Sequence, residues 1–365
     1  MNTSWHAFLQ DAGAVFSGQA VVHFGNPQQE IQVCESGSVI SDLSHRGLIA
    51  ISGNDAQAFL QGQLTNDIKL VNHARSQLSG YCSPKGRLLA VMHIVLIGET
   101  YFCDLPAEIL DDTLARLRKY ILMATVTLED ARDRFVRIGF SGPGATGALE
   151  SALGGAPAEP GAVAQTREFT VVRLNGLHPR FVFYGAEDAA RALWSALDVH
   201  AAPVGSAAWE RLDILAGTPT VVPATVDRFV PQFVNLDILD GVSLKKGCYT
   251  GQEIVARLQY RGTVKRRMHR FHIGADLPPA AGDLLYEAID GSQSIGDVVS
   301  AAPSTEGGHD FLAVVTVEAV ERGGLRLRAA DGPVVEHRSL PYALTELWRG
   351  LGRSTGVYGQ TITRV

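Results

Sequence analysis

A chain of 365 residues, 46% hydrophobic and 19% charged, has ordinary globular composition and more length than one core usually organises, so two or three domains are expected. A net charge of −6 excludes a generic nucleic-acid binder and leaves any anion site to local clustering of basic residues. Four cysteines with no C-x-x-C pair exclude a disulfide scaffold, and the longest apolar stretch, Leu88 to Ile97, is far below the ~20 residues of a membrane span. The N-terminus carries no secretory pattern, so a cytoplasmic protein with no membrane contact is expected.

In chain order, Leu48 to Ile51 reads as a strand ending at Gly53. Asn54 is the expected N-cap of a helix from Asp55 to Gln63, with Gln57 in the second capping-box position. Leu88 to Ile97 and Tyr101 to Asp104 form a hairpin pattern around Gly98. Pro106 is expected to open a helix with the stripe Leu110, Leu114, Leu117 and Ile121. A strand from Ala124 to Leu128 follows. Strands and helices mix without a β-α-β rhythm, which reads as α+β.

A second set starts with the strand Phe135 to Phe140. The Ala-, Gly- and Pro-rich segment from Gly142 to Gln165 reads as a surface excursion. Its Gly142-Pro143-Gly144-Ala145-Thr146-Gly147 fits G-x-G-x-x-G, but Glu168 opens the next strand instead of closing it, so a dinucleotide site is not expected. Strands Glu168 to Leu174 and Arg180 to Tyr184 precede helices Ala186 to Leu197 and Ser206 to Ala216. Beyond Gly262, short apolar stretches between Gly and Pro turns predict an antiparallel β-barrel. The expected domains are therefore 1–130, 131–262 and 263–344, with a tail at 345–365.

The chemistry concentrates in Lys245-Lys246-Gly247-Cys248-Tyr249-Thr250-Gly251-Gln252-Glu253. Ile254, Val255 and Leu258 recur at helical spacing, and Thr250 with Glu253 makes a capping-box pattern, so a helix is expected from about Thr250. A cysteine just before a helix N-terminus, beside two lysines, is placed to favour its thiolate. Arg257, Arg261, Lys265, Arg266, Arg267 and Arg270, with His269 and His272, form a local basic cluster. A solvated strand face and an anion-binding patch are both open readings of it. Histidines are scattered without metal-ligand spacing, and no metal site is expected.

The signature from Lys245 to Glu253 closely resembles that of the YgfZ family. Phe229-Val230-Pro231-Gln232, Asn235-Leu236, Tyr81 to Arg87, Gln61 to Asp67 and Lys119-Tyr120 also look like its blocks. The resemblance runs from about Gly37 to Leu344. It implies a three-domain arrangement around a central folate cavity, shared with the T-protein, a folate-dependent aminomethyltransferase. The implied cofactor is tetrahydrofolate or a derivative. The implied role is accessory to iron–sulfur cluster assembly or repair, with a transient cluster contact and with iron–sulfur enzymes or assembly proteins as partners. Enzymes that thiolate tRNA are among those clients, so contact with tRNA itself would be indirect.

By the same resemblance, Cys248 is the reactive centre at the edge of the cavity, tuned by Lys245 and Lys246. Trp209, Arg46, Gln252 and Glu253 stand on the cofactor side. Trp209 matches a family tryptophan associated with folate, and Arg46 stands where a second is expected. The acidic pair that follows a Lys-Gly-Gly block in T-proteins is replaced here by apolar residues after Lys85-Gly86-Arg87. That departure argues against aminomethyl transfer. A tetrahydrofolate-dependent one-carbon transferase and a direct tRNA-binding module are the rival readings.

Overall fold

The computed structural model describes residues 2–261, 264–274, 277–288 and 293–344. The expected tail at 345–365 lies outside them. Three sheets dominate. The first is antiparallel, in the order Gln77–Cys82, Leu88–Ile97, Thr100–Pro106, Arg46–Ser52, Thr127–Asp130. The second runs Val163–Gln165, Phe169–Leu174, Arg180–Gly185, Val136–Ser141, Val39–Asp42, Ala202–Val204, antiparallel except for the last pair. The third runs Leu325–Leu327, Leu284–Glu287, Ser294–Pro303, His309–Thr316, Arg266–Ile273, Glu336–Arg338.

All three sheets bury both faces, and strand alternation explains how. Ile49 and Ile51 enter a core shared with Leu312 and Val314 of the third sheet. Their neighbours Leu48 and Ala50 enter another, with Val182 and Tyr184 of the second sheet. Phe181 and Phe183 point the opposite way, onto Trp5 and Trp194 of helices Thr3–Asp11 and Glu187–Asp198. Phe311, Ala313 and Val315 fill the inside of the curled third sheet. Its two edges are drawn together: Leu327 N donates to Pro333 O and Val335 N to Leu325 O on one side, while Glu336–Arg338 pairs with Arg266–Ile273 on the other. The expected mixed fold ending in a curled antiparallel sheet is what the chain forms. Among the described residues no helix is long and apolar enough to cross a membrane.

Several local expectations need correcting. Sheet membership does not follow a division at residue 130, because Val39–Asp42 lies in the second sheet between Val136–Ser141 and Ala202–Val204. The pairing is non-local, and nothing in the local pattern encodes it. The supposed excursion at 142–165 holds a helix, Ala145–Leu153, that buries Ala145 and Leu149, and a strand, Val163–Gln165. The helix ends on Gly154 in the left-handed conformation, which glycine adopts without strain. Pro106 closes a strand, and the helix after it is Leu110–Arg118. At the first capping site, Asp55 precedes the helix Ala56–Gln63 and its carboxylate accepts from Thr125 N, while Gln57 donates to the Tyr101 hydroxyl.

Candidate functional site

A cavity of about 850 Å³ lies between the three sheets, walled by Arg46 and Asp104 of the first, Arg180 and Tyr184 of the second, and Val299 and Ala301 of the third. Helix Ser206–Leu215 contributes Trp209, Glu210 and Asp213 to the same wall. Trp209 and Asp213 are one turn apart and share a helix face. Between them sits Arg180, with its guanidinium 4.1 Å from the indole centroid. Arg180 donates to Asp213 at 2.6 Å and to Trp209 O at 3.2 Å. Gly139 on the adjacent strand leaves room for the ring, since a Cβ there would stand 2.6 Å from the indole edge. Trp209 is thus a wall built of indole and guanidinium together, only 2% exposed.

Arg46 pairs with Asp104, and that carboxylate also accepts from the buried Arg137 at 3.0 Å. Arg137 is held in turn by Arg46 O at 2.7 Å and Gly47 O at 3.2 Å. Two guanidiniums therefore share one nearly buried carboxylate, the arrangement that buried charge requires. His45 and His93 face the same space, and burial lowers both to about 4, so both rings are neutral at pH 7. Ser76 Oγ lies 3.2 Å from His93 Nε2.

Glu210 is the exception among these charges. Its side chain is solvent-accessible and lines the cavity. Partial desolvation there, reinforced by repulsion from Asp213, pushes its carboxyl up to about 7.

The cysteine motif folds elsewhere. Cys248 is exposed, and neither it nor Lys245, Lys246, Gln252 or Glu253 lines the cavity. Cys248 was expected at the cavity edge and Gln252 and Glu253 on the cofactor side, and none of the three is among the residues of the cavity wall. The helix starts at Gln252, four residues past Cys248, whereas a helix-end field fades within one turn. Lys246 is not a free charge beside the thiol. Its ammonium donates to Gln61 O, Leu64 O and Asn66 O at 2.7, 2.5 and 2.9 Å, and burial lowers it to about 8. Lys245 is exposed.

The loop is docked by close backbone approach. Gly251, at φ 83°, lies so near the Ser83–Gly86 turn that a Cβ would meet Ser83 O at 2.5 Å. Gly86, at φ 69°, faces Ile254 in the same way. The blocks Tyr81 to Arg87, Gln61 to Asp67 and Lys245 to Glu253 are thus one structural unit. Cys34, Cys82 and Cys103 are buried, and burial raises all three thiols to about 12.

The basic cluster does not form one face. Arg267 is buried, donating to Gln232 O and to both oxygens of Asp237. His269 and His272 are also buried, and His272 sits 3.0 Å from Asp310. Arg257 and Lys265 are exposed. Alternation along strand Arg266–Ile273 splits the run between two sides.

Sequence reasoning brought Trp209 and Arg46 to the cavity and missed Arg180, Asp104, Asp213 and Glu210. One signal was available for Arg180. It opens an otherwise apolar strand, Arg180–Gly185, where a charge must have a buried partner.

The profile of the GCVT N-terminal domain family matches residues 8–197. The tRNA-modifying proteins YgfZ of Yersinia pestis and Serratia proteamaculans are each 32% identical to this chain over 305 residues, covering 83% of it and 92% of the relative. That of Sodalis glossinidius is 31% identical over 83% of this chain and 93% of its own. The chain belongs to the YgfZ family. Among solved structures, the glycine cleavage system aminomethyltransferase T from Bartonella henselae is similar with a TM-score of 0.73 at 20% identity, covering 92% of this chain and 96% of that one. This second likeness is one of fold, and it spans all three sheets described above.

Proposed function

We propose that this YgfZ-family chain is a folate-binding accessory protein of tRNA modification, supporting iron–sulfur enzymes through an exposed cysteine that lies apart from its folate cavity. The observation that carries the reading is the cavity itself. Its volume is in the ~300–1,000 Å³ range of small-molecule sites, and its walls mix apolar surface with a few fixed polar groups. The residues suit a reduced folate. The Trp209–Arg180 wall offers a flat surface for a heterocycle, and Glu210 is a carboxyl with no hydrogen bond from the described protein. A bound reduced folate supplies nitrogen atoms that carry one-carbon units. Arg46, Asp104 and Arg180 keep the wall rigid, and the neutral His45 and His93 add hydrogen-bonding capacity without charge.

Cys248 is exposed to a partner, so the thiol acts on a client protein or its cluster while the cavity holds the cofactor. The names of the relatives support placing the client in tRNA modification. The test is complementation of a bacterial strain lacking its own YgfZ, scoring thiolated tRNA nucleosides and one unrelated iron–sulfur enzyme at matched protein levels. The intact chain restores both, and Cys248→Ala restores neither. Full restoration by Cys248→Ala would remove the thiol from the proposal and leave the cavity. Recovery of the tRNA change alone would favour direct action on tRNA over cluster supply.

A further inference from the structure

The carboxylate that T-proteins carry after their Lys-Gly-Gly block is missing from this sequence, yet the cavity is not without a free carboxyl. Glu210 comes to it from helix Ser206–Leu215, an unrelated element. It stands between Trp209, which forms the wall, and Arg211, which turns to Asp310 and Pro303 O of the third sheet. Three consecutive side chains of one helix thus divide between wall, cavity and interface.

The groups around Glu210 explain why it is free. Asp213, on the same helix, is taken by Arg180. Arg46, on strand Arg46–Ser52, is taken by Asp104. Glu108, on the turn Ala107–Ile109, adds a second like charge facing it. His45 and His93 are neutral and do not titrate near pH 7. The cations beside it, Arg46 and Arg180, already have their carboxylates, and Glu210 is left as an acceptor without a donor beside two acids. A carboxyl partly withdrawn from water and without donors is costly to ionise, and the natural remedy is a ligand that brings them.

Resting on the folate reading, we infer that Glu210 is the recognition carboxylate of the cavity, accepting adjacent N–H donors of a heterocyclic ligand and losing its own proton as the ligand binds. The bond broken is the carboxyl O–H, and the proton leaves to solvent. The two new hydrogen bonds are N–H donors of the ligand to the carboxylate oxygens. With the cavity empty the group keeps its proton below about pH 7, because desolvation and Asp213 raise it to about 7. Ligand donors pull it back down. Affinity therefore rises with pH up to about 7 and is level above it.

The experiment is titration calorimetry of the full chain with 5-formyltetrahydrofolate, at pH 6 and pH 8, in buffers of different ionisation heat. The intact chain releases close to one proton per ligand at pH 6 and almost none at pH 8. It binds roughly tenfold more weakly at pH 6. Glu210→Gln binds with no proton release and equal affinity at both values, and its thermal unfolding at pH 4 matches the parent. Binding by the intact chain with no proton release, or an unchanged pH profile in Glu210→Gln, overturns this assignment while leaving the folate reading intact. No binding of the probe by the intact chain at either pH overturns the folate reading and this inference with it.

Discussion

The cavity wall and the Cys248 loop are ordered by different means. Around the cavity, side-chain charge does the work. Arg46, Arg137 and Asp104 form one buried cluster, Arg180 and Asp213 another, and each guanidinium is held in a fixed direction. In the loop, main-chain contacts do it. Lys246 anchors to three carbonyls of residues 61–66, and Gly251 lies against the backbone of the Ser83–Gly86 turn. A charge-built wall suits recognition of a small polar ligand, since its groups are aligned before the ligand arrives. A backbone-anchored loop presents its exposed side chains, Cys248 and Lys245 among them, to a large partner. The two regions should therefore respond to different substitutions.

The largest effect is expected at the wall. Asp104→Ala leaves Arg46 and Arg137 without their shared counter-charge, and Arg137 is only 1% exposed. A loss of about 3–5 kcal/mol is expected from urea unfolding. A loss below ~1 kcal/mol would mean the wall is not held by charge. Next is Lys246→Met, which deprives three carbonyls of their donor and costs about 1–3 kcal/mol. Loosening of the loop should also change the alkylation rate of Cys248. An unchanged rate would separate the anchor from the thiol.

Glu210→Gln has a smaller effect whose sign depends on pH. The folded-state value near 7 lies above the ordinary 4.5, so the group favours folding in full below pH 4.5. That contribution is lost as pH rises to about 7. The variant should match the parent in acid and exceed it by about 1 kcal/mol at pH 8, a figure discounted for water in the cavity. Equal stability at both values would place Glu210 in ordinary solvent. The smallest effect is Cys248→Ala, within ~0.5 kcal/mol of the parent because the residue is exposed. Its loss of complementation, set against unchanged stability, separates a functional thiol from a structural one.

Much of this contrast was legible in the residues. The signature around Cys248 and the blocks at 61–67 and 81–87 stand out as short, local patterns rich in glycine and lysine. Such patterns survive in sequence because tight turns demand particular residues in consecutive positions. The curled C-terminal sheet was legible for the same reason, through closely spaced turns. Trp209 was readable as a candidate, but not its pairing with Arg180, which stands 29 residues earlier.

By itself the sequence determined the family, the mixed α and β class, the C-terminal sheet and the motif from Lys245 to Glu253, since each is written in contiguous residues. Only the tertiary structure decided that Val39–Asp42 joins the second sheet and that Lys246 is an internal anchor. It also decided that Cys248 stands outside the cavity, and that Glu210 is the one carboxyl of helix Ser206–Leu215 left free within it. These outcomes depend on which distant groups meet and which charges find partners. Partnering is a property of the packed chain, set by strand pairing and burial across the whole molecule, and no local spacing encodes it.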